Sequence, residues 1–169
     1  MWEEEMTKPL FATLYNNHYS SDQNQVGRHV NGKDVYKEIG YDIEQLEKQD
    51  PNYRNTCATR MSMALMKSGV PMSGRIKVKA GALKGRSIEP GAKLLADQLA
   101  QKHLLGKPQI LKPSEALKKL EGKQGVVFFW KMTGYSGGHI DLIKVDQAAA
   151  VCSSNCHMDS GEIWFWPLD

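Results

Sequence analysis

The C-terminal third of the chain carries the strongest constraint on its fold. Residues 125–132 (GVVFFWKM), 139–145 (HIDLIKV) and 162–167 (EIWFWP) are dense in branched and aromatic side chains and read as three β-strands. The segments before them carry helical periodicity instead. Helices first and strands last predict an α+β fold, with helices packed on one face of an antiparallel sheet. At 169 residues the expectation is a single domain, 1–169. A chain of this size buries roughly two-thirds of the surface it exposes when unfolded.

Residues 8–15 place Leu10, Phe11 and Leu14 at helical spacing. Residues 16–33 are polar and read as loop, and a short helix is predicted over 34–39, stopped by Gly40. Residues 42–56 are polar and end in the turn signal Asp50-Pro51-Asn52. The best-defined helix runs over 57–68. Asn55 or Thr56 can cap it with a short side-chain oxygen, and Gly69 tolerates the left-handed stop. Ala58, Met61 and Leu65 give it one apolar stripe, and Cys57 falls in its first turn. The alternation over 75–79 predicts a half-buried strand. Pro90 predicts the start of a helix burying Leu94, Leu95 and Leu99. Ser114 predicts the cap of a short helix carrying Leu117 and Leu120. Trp164-Phe165-Trp166 reads first as a packed strand and second as a platform for stacking a ligand.

Charge narrows the partners. Lys and Arg number 22 against 19 Asp and Glu, a net charge of +3. Nucleic-acid binders show a stronger and more clustered excess, so none is expected here. The one basic run, Arg75, Lys77, Lys79, Lys84 and Arg86, reads first as a solvated strand and turn, and second as an attractor of an anionic polymer. No apolar stretch approaches the roughly 20 residues of a membrane span. The opening Met-Trp-Glu-Glu-Glu-Met is acidic, and no secretory signal is expected from it.

The chemistry begins at Cys57. A thiolate is the nucleophilic form of cysteine, and the dipole and free N–H groups of a helix start favour it. A base must take the thiol proton and later protonate a leaving amine. His139 is the candidate, because it opens a strand after a glycine-rich segment and can face a helix packed on the sheet. A third group orients the imidazole. Asp141 shares the strand face of His139, since strand side chains repeat every two residues. The loop 153–155 and Asp146 are the other sources. Cys152 and Cys156 are close enough in sequence to bridge, which requires an oxidising compartment. With His157 they make too few ligands for a zinc site, so no metal is expected. His18, His29 and His103 have no partner pattern and are read as surface residues.

At these residues a family comes into view. Residues 55–65 (NTCATRMSMAL) resemble the nucleophile helix of the type VI secretion amidase effector family 4, including an arginine three positions after the cysteine. Gly138-His139-Ile140-Asp141-Leu142 is similar to its histidine strand. Residues 152–157 (CSSNCH) and 161–168 (GEIWFWPL) resemble its disulfide loop and closing strand. Their order and rough spacing hold over residues 9–168. The resemblance implies a papain-like domain of the NlpC type, with Cys57 as nucleophile and His139 as general base and acid. It implies a DL-endopeptidase that cuts the γ-D-glutamyl–meso-diaminopimelate bond of peptidoglycan without a cofactor. It also implies a Cys152–Cys156 disulfide, a cognate immunity protein and a secretion tube carrier. Delivery through the type VI apparatus into a rival's periplasm reconciles a missing signal with an oxidised pair. Family members often carry an aspartate inside the Cys-x-x-x-Cys loop as third catalytic residue. Here Ser154 holds the best-aligned position, which leaves Asp141, Asn155 or a water molecule for that role. A cysteine-dependent transferase or deamidase, and a binding module with a structural Cys57, are the competing readings.

Overall fold

The computed structural model describes residues 8–131, 138–144 and 160–169. Three short helices open it. Helix α1, Phe11–Asn17, buries Phe11 and Leu14, and the Phe11 N–H donates to the Asp169 carbonyl at 2.8 Å. Helix α2, Gly32–Glu38, is capped by Asn31, whose side chain accepts from the Asp34 N–H. Helix α3, Ile43–Gln49, is capped in the same way by Asp42. The polar reading of 42–56 hid α3, because only Ile43 and Leu46 turn inward. One 3₁₀ turn, Pro51–Arg54, then leads into helix α4, Cys57–Lys67.

Helix α4 is the axis of the molecule. Every residue from Cys57 to Met66 is buried. The single apolar stripe is therefore a correction: α4 has no solvent face, because neighbours enclose it on all sides. Its polar residues are satisfied accordingly. Thr59 Oγ1 bonds the Tyr36 hydroxyl at 2.7 Å. Ser62 Oγ donates to the Glu89 carbonyl at 3.1 Å and accepts from the Glu89 N–H at 3.2 Å. Arg60 Nε donates to Thr56 Oγ1 at 2.8 Å, and Nη1 donates to the Ser20 carbonyl at 2.9 Å and to those of Tyr19 and Val30. Thr56 thus holds Arg60 rather than capping the helix with its side chain.

A two-stranded ribbon follows, β1 (Ile76–Lys77) with β2 (Ser87–Ile88), so the strand expected over 75–79 shrinks to two residues. Helix α5, Ala92–Leu99, buries Ala92, Leu95, Ala96 and Leu99, whereas Leu94 is half exposed, one position off that stripe. Strand β3, Gln109–Leu111, precedes helix α6, Pro113–Leu120. Lys112, not Ser114, is the residue before α6, and the Glu115 side chain accepts its N–H at 3.0 Å. Leu120 is buried and Leu117 is partly exposed.

Strands β4 (Gly125–Trp130), β5 (His139–Ile143) and β6 (Glu162–Pro167) join β3 in an antiparallel sheet of order β3-β6-β4-β5. Its faces are both covered. Val126, Phe128, Ile140, Leu142 and Trp166 join the large core with α4 and α5. Val127, Phe129, Ile143, Ile163 and Phe165 form a second core with Leu111 and the α6 residues Ala116 and Leu120. Helices on one face alone is thus corrected. The run GVVFFW is apolar at both parities, and a strand apolar on both sides needs cover on both. Phe165 and Trp166 are buried, and Trp164 is half-buried, edge-on to Phe128 with ring centroids 5.3 Å apart. Among the described residues no helix is long and apolar enough to cross a membrane.

Phe128 is fully buried, stacked on Trp130 and met by Trp164. Phe128→Ala should cost about 3–5 kcal/mol of stability, the usual loss for a buried aromatic. Urea denaturation should show a lower midpoint with the slope unchanged.

Candidate active site

Helix α4 packs against the edge strand β5, which brings its first residue, Cys57, to the first residue of that strand, His139. Asn55 clasps the two elements. Its Nδ2 donates to the Gly138 carbonyl at 3.3 Å, and its Oδ1 accepts from the Cys57 N–H at 3.4 Å. Gly138 has φ +71°, a left-handed backbone that favours glycine. Space makes the same demand: a Cβ there would lie 2.8 Å from Phe128 Cε1 and 2.9 Å from the Phe129 carbonyl oxygen.

His139 pairs across the sheet with Phe129, and their rings stack at 6.2 Å with an interplanar angle of 12°. Its Nε2 lies 3.2 Å from Asp141 Oδ2, and the imidazole is near enough to the Cys57 thiol for the two to interact. With Nε2 on Asp141, Nδ1 is the nitrogen left for the thiol. Asp141 is held by its own strand, its Oδ1 accepting from the Leu142 N–H at 2.8 Å. Burial works against a charged His139, but the bonds to Asp141 and Cys57 and their negative charge outweigh it and push its pKa up to about 10. Burial raises the Asp141 pKa, yet the bond to His139 and its charge, with His18 and the Leu142 N–H, bring it below the usual carboxylate value. Protonated His139 therefore adds stability that is fully present below pH 6.5 and is lost as pH rises toward 10.

Two residues beside this line escaped the sequence reading. His18, expected at the surface, is buried at 5% exposure. Arg28 Nη2 lies 3.1 Å from its Nδ1. An arginine only donates, so Nδ1 is the bare nitrogen and Nε2 carries the proton. Burial chiefly, offset in part by Asp141 and aided by Arg28, Arg60 and His139, pushes the His18 pKa down to about 4. Nothing in the polar stretch around it signalled burial. Arg60 was visible as part of a motif, but its near-complete burial on neutral oxygens was not. Its charge interacts with both Cys57 and Asp141.

A cleft of about 290 Å³ adjoins Asn55, lined also by Asp50, Tyr53, Arg75, Lys93 and Trp130. Arg75 belongs to the basic run read from the sequence, so one member of that run lines this cleft. Among the described residues, then, Cys57, His139 and Asp141 come together. Ser154, Asn155, Asp146, the Cys152–Cys156 pair and His157 lie outside the described residues. No group of His, Cys, Asp and Glu among the described residues is arranged to hold a metal. A thiol at a helix start, beside an imidazole oriented by a carboxylate, can transfer its proton and attack a carbonyl carbon.

A family model described as "Type VI secretion system (T6SS), amidase effector protein 4" matches residues 53–166. No curated protein matches the chain. Solved structures do. The Tae4–Tai4 effector–immunity complex from Enterobacter cloacae is similar at 23% identity and a TM-score of 0.70, over 96% of this chain and 99% of that one. Tae4 from Enterobacter cloacae matches at 24% and 0.69, over 96% and 98%. The Tae4–Tai4 complex from Salmonella Typhimurium matches at 24% and 0.67, over 96% and 99%. The α+β, papain-like architecture is shared with these crystal structures.

Two titrations test the site. Asp141→Asn removes a bond and a charge that favour imidazolium, so the His139 pKa should fall from about 10, read from its imidazole NMR signals. His18 titrates near 6.5 when unfolded and near 4 when folded, so the unfolded chain takes up its proton first. Stability should therefore drop between pH 6.5 and pH 4, by about 3 kcal/mol from this group. His18→Gln should flatten that part of the stability–pH curve, measured by denaturant unfolding.

Proposed function

The chain belongs to the type VI secretion amidase effector family 4, and from that premise we propose that it is a cysteine-dependent DL-endopeptidase of peptidoglycan. The bond is the one between γ-D-glutamate and meso-diaminopimelate. The observation that carries this reading is Cys57 at the start of α4 beside the hydrogen-bonded pair His139–Asp141 on β5.

In the proposed mechanism the Cys57 proton already resides on His139 before substrate binds, in keeping with the raised His139 pKa, and the thiolate attacks the γ-glutamyl carbonyl carbon. Backbone N–H groups at the start of α4 stabilise the resulting oxyanion. His139 then gives its proton to the departing amine, and the C–N bond breaks to leave a thioester. A water molecule, deprotonated by His139, attacks the thioester and releases the γ-carboxylate and the free thiol. Asp141 orients the imidazole; Ser154 and Asn155 are the less favoured positions for that part. No cofactor enters these steps.

Residues 1–169 then form a single catalytic domain. The Cys152–Cys156 disulfide forms after delivery into the target cell's periplasm, where the substrate lies. The relatives from Enterobacter cloacae and Salmonella Typhimurium are seen bound to Tai4, which supports a cognate immunity protein for this chain. A secretion tube protein serves as its carrier.

Mass spectrometry of diaminopimelate-type muropeptides tests the activity. Incubation should release the fragment beyond γ-D-glutamate. Cys57→Ala, which is folded alike because alanine suits a helix, should lower the rate by at least about a thousandfold, as expected for loss of a covalent nucleophile. Intact muropeptides after incubation with the folded wild-type protein would overturn the reading.

A further inference from the structure

The cleft beside Asn55 is built for more than shape. Arg75 donates from Nε to Glu89 Oε1 at 3.0 Å and from Nη2 to Glu89 Oε2 at 2.7 Å. This leaves Nη1, with two N–H donors, in no bond among the described residues. Glu89 is buried behind it and accepts a further bond from the Gly91 N–H at 2.7 Å. The Glu89 backbone is fixed on both sides by Ser62 of α4. The guanidinium is thus oriented from behind and presents one edge to the cleft, although its side chain is 60% exposed. Gly91 supports this by being bare. Its φ of −97° is ordinary, yet a Cβ there would lie 2.9 Å from Arg75 Nη2 and 3.0 Å from Glu89 Oε2.

A second cation stands in the same wall. Lys93 Nζ is held by both Asp97 oxygens at 2.8 Å and lies 5.3 Å from the Trp130 ring centroid. Asp50 supplies a carboxylate to the cleft and is close enough to Arg75 for their charges to interact. Trp130 and Leu94 add apolar surface between these charges. Asn55 lines the cleft and accepts from the Cys57 N–H, so one side chain links the cleft to the start of α4.

We propose that this cleft is a subsite for a zwitterionic amino-acid group of the substrate, with Arg75 taking its carboxylate and Asp50 its ammonium. Lys93 reinforces the carboxylate side, and the aromatic wall receives the methylene arm that carries the group. The proposal rests on the amidase reading above, in which the distal centre of meso-diaminopimelate is such a group.

Calorimetry with the Cys57→Ala protein tests it apart from catalysis. The ligands are a free stem tetrapeptide containing meso-diaminopimelate, the same peptide amidated at the distal carboxylate, and one acetylated at the distal amine. The free peptide should bind about tenfold or more tightly than the amidated one, the scale of a charge-assisted bond. Arg75→Gln should bring that ratio near one. So should Arg75→Lys, which keeps a cation for buried Glu89 and guards against a misfolded variant. Asp50→Asn should likewise erase the penalty of acetylation. Equal binding of the free and amidated peptides, no binding of either, or a ratio that survives both Arg75 variants would overturn the subsite. Failure of the intact wild-type protein to cleave the free peptide would instead overturn the amidase reading, and the binding ratio would still decide the subsite.

Discussion

A guanidinium buried among neutral oxygens organises this molecule. Arg60 is 3% exposed and has no carboxylate partner among the described residues. Taking a cation out of water is costly unless every donor finds an acceptor. Here the carbonyls of Tyr19, Ser20 and Val30 accept from Nη1 and Thr56 Oγ1 accepts from Nε. The irregular segment between α1 and α2 is thereby tied to α4. That segment carries Arg28 near His18, and α4 begins with Cys57. One buried charge thus binds a loop without regular structure to the helix on which the chemistry starts.

The sheet completes the arrangement through its edge. Among the described residues β5 pairs with β4 alone. Helix α4 packs against β5, whose pleat turns His139 and Asp141 together, away from Ile140 and Leu142. An edge strand usually invites unwanted pairing. Here the adjoining helix and the Asn55 clasp on Gly138 occupy the start of that edge. The contact between the start of α4 and the start of β5 is where the thiol and the imidazole come together.

Much of this was legible in the sequence, and the misses have a common cause. The three C-terminal strands, the Cys57 helix and the His139–Asp141 pairing all rest on local periodicity, which a sequence displays directly. Helix α3 escaped because two apolar residues, Ile43 and Leu46, are too few to make a pattern. The second covered face was implicit in the run GVVFFW, but the residues that cover it, Ala116 and Leu120, gave no sign of their destination. His18 and Glu89 are buried polar residues whose partners lie at a distance in the chain: Arg28 for one, Arg75 and the Ser62 hydroxyl for the other. Burial of that kind is decided by tertiary structure and leaves no local trace. The cleft has the same origin, since its lining comes from the 3₁₀ turn, the β1 region, α5 and the end of β4.

The close approach of Gly138 to the Phe128 ring also constrains how such a chain can drift. A side chain at 138 would press on the ring at 128 as well as on the Phe129 carbonyl, and a smaller residue at 128 empties the space under Trp130 and Trp164. Either change alone is harmful, and the pair together unpacks the wall beside the cleft. These two positions are therefore interlocked: a change at either disturbs packing that the other supplies.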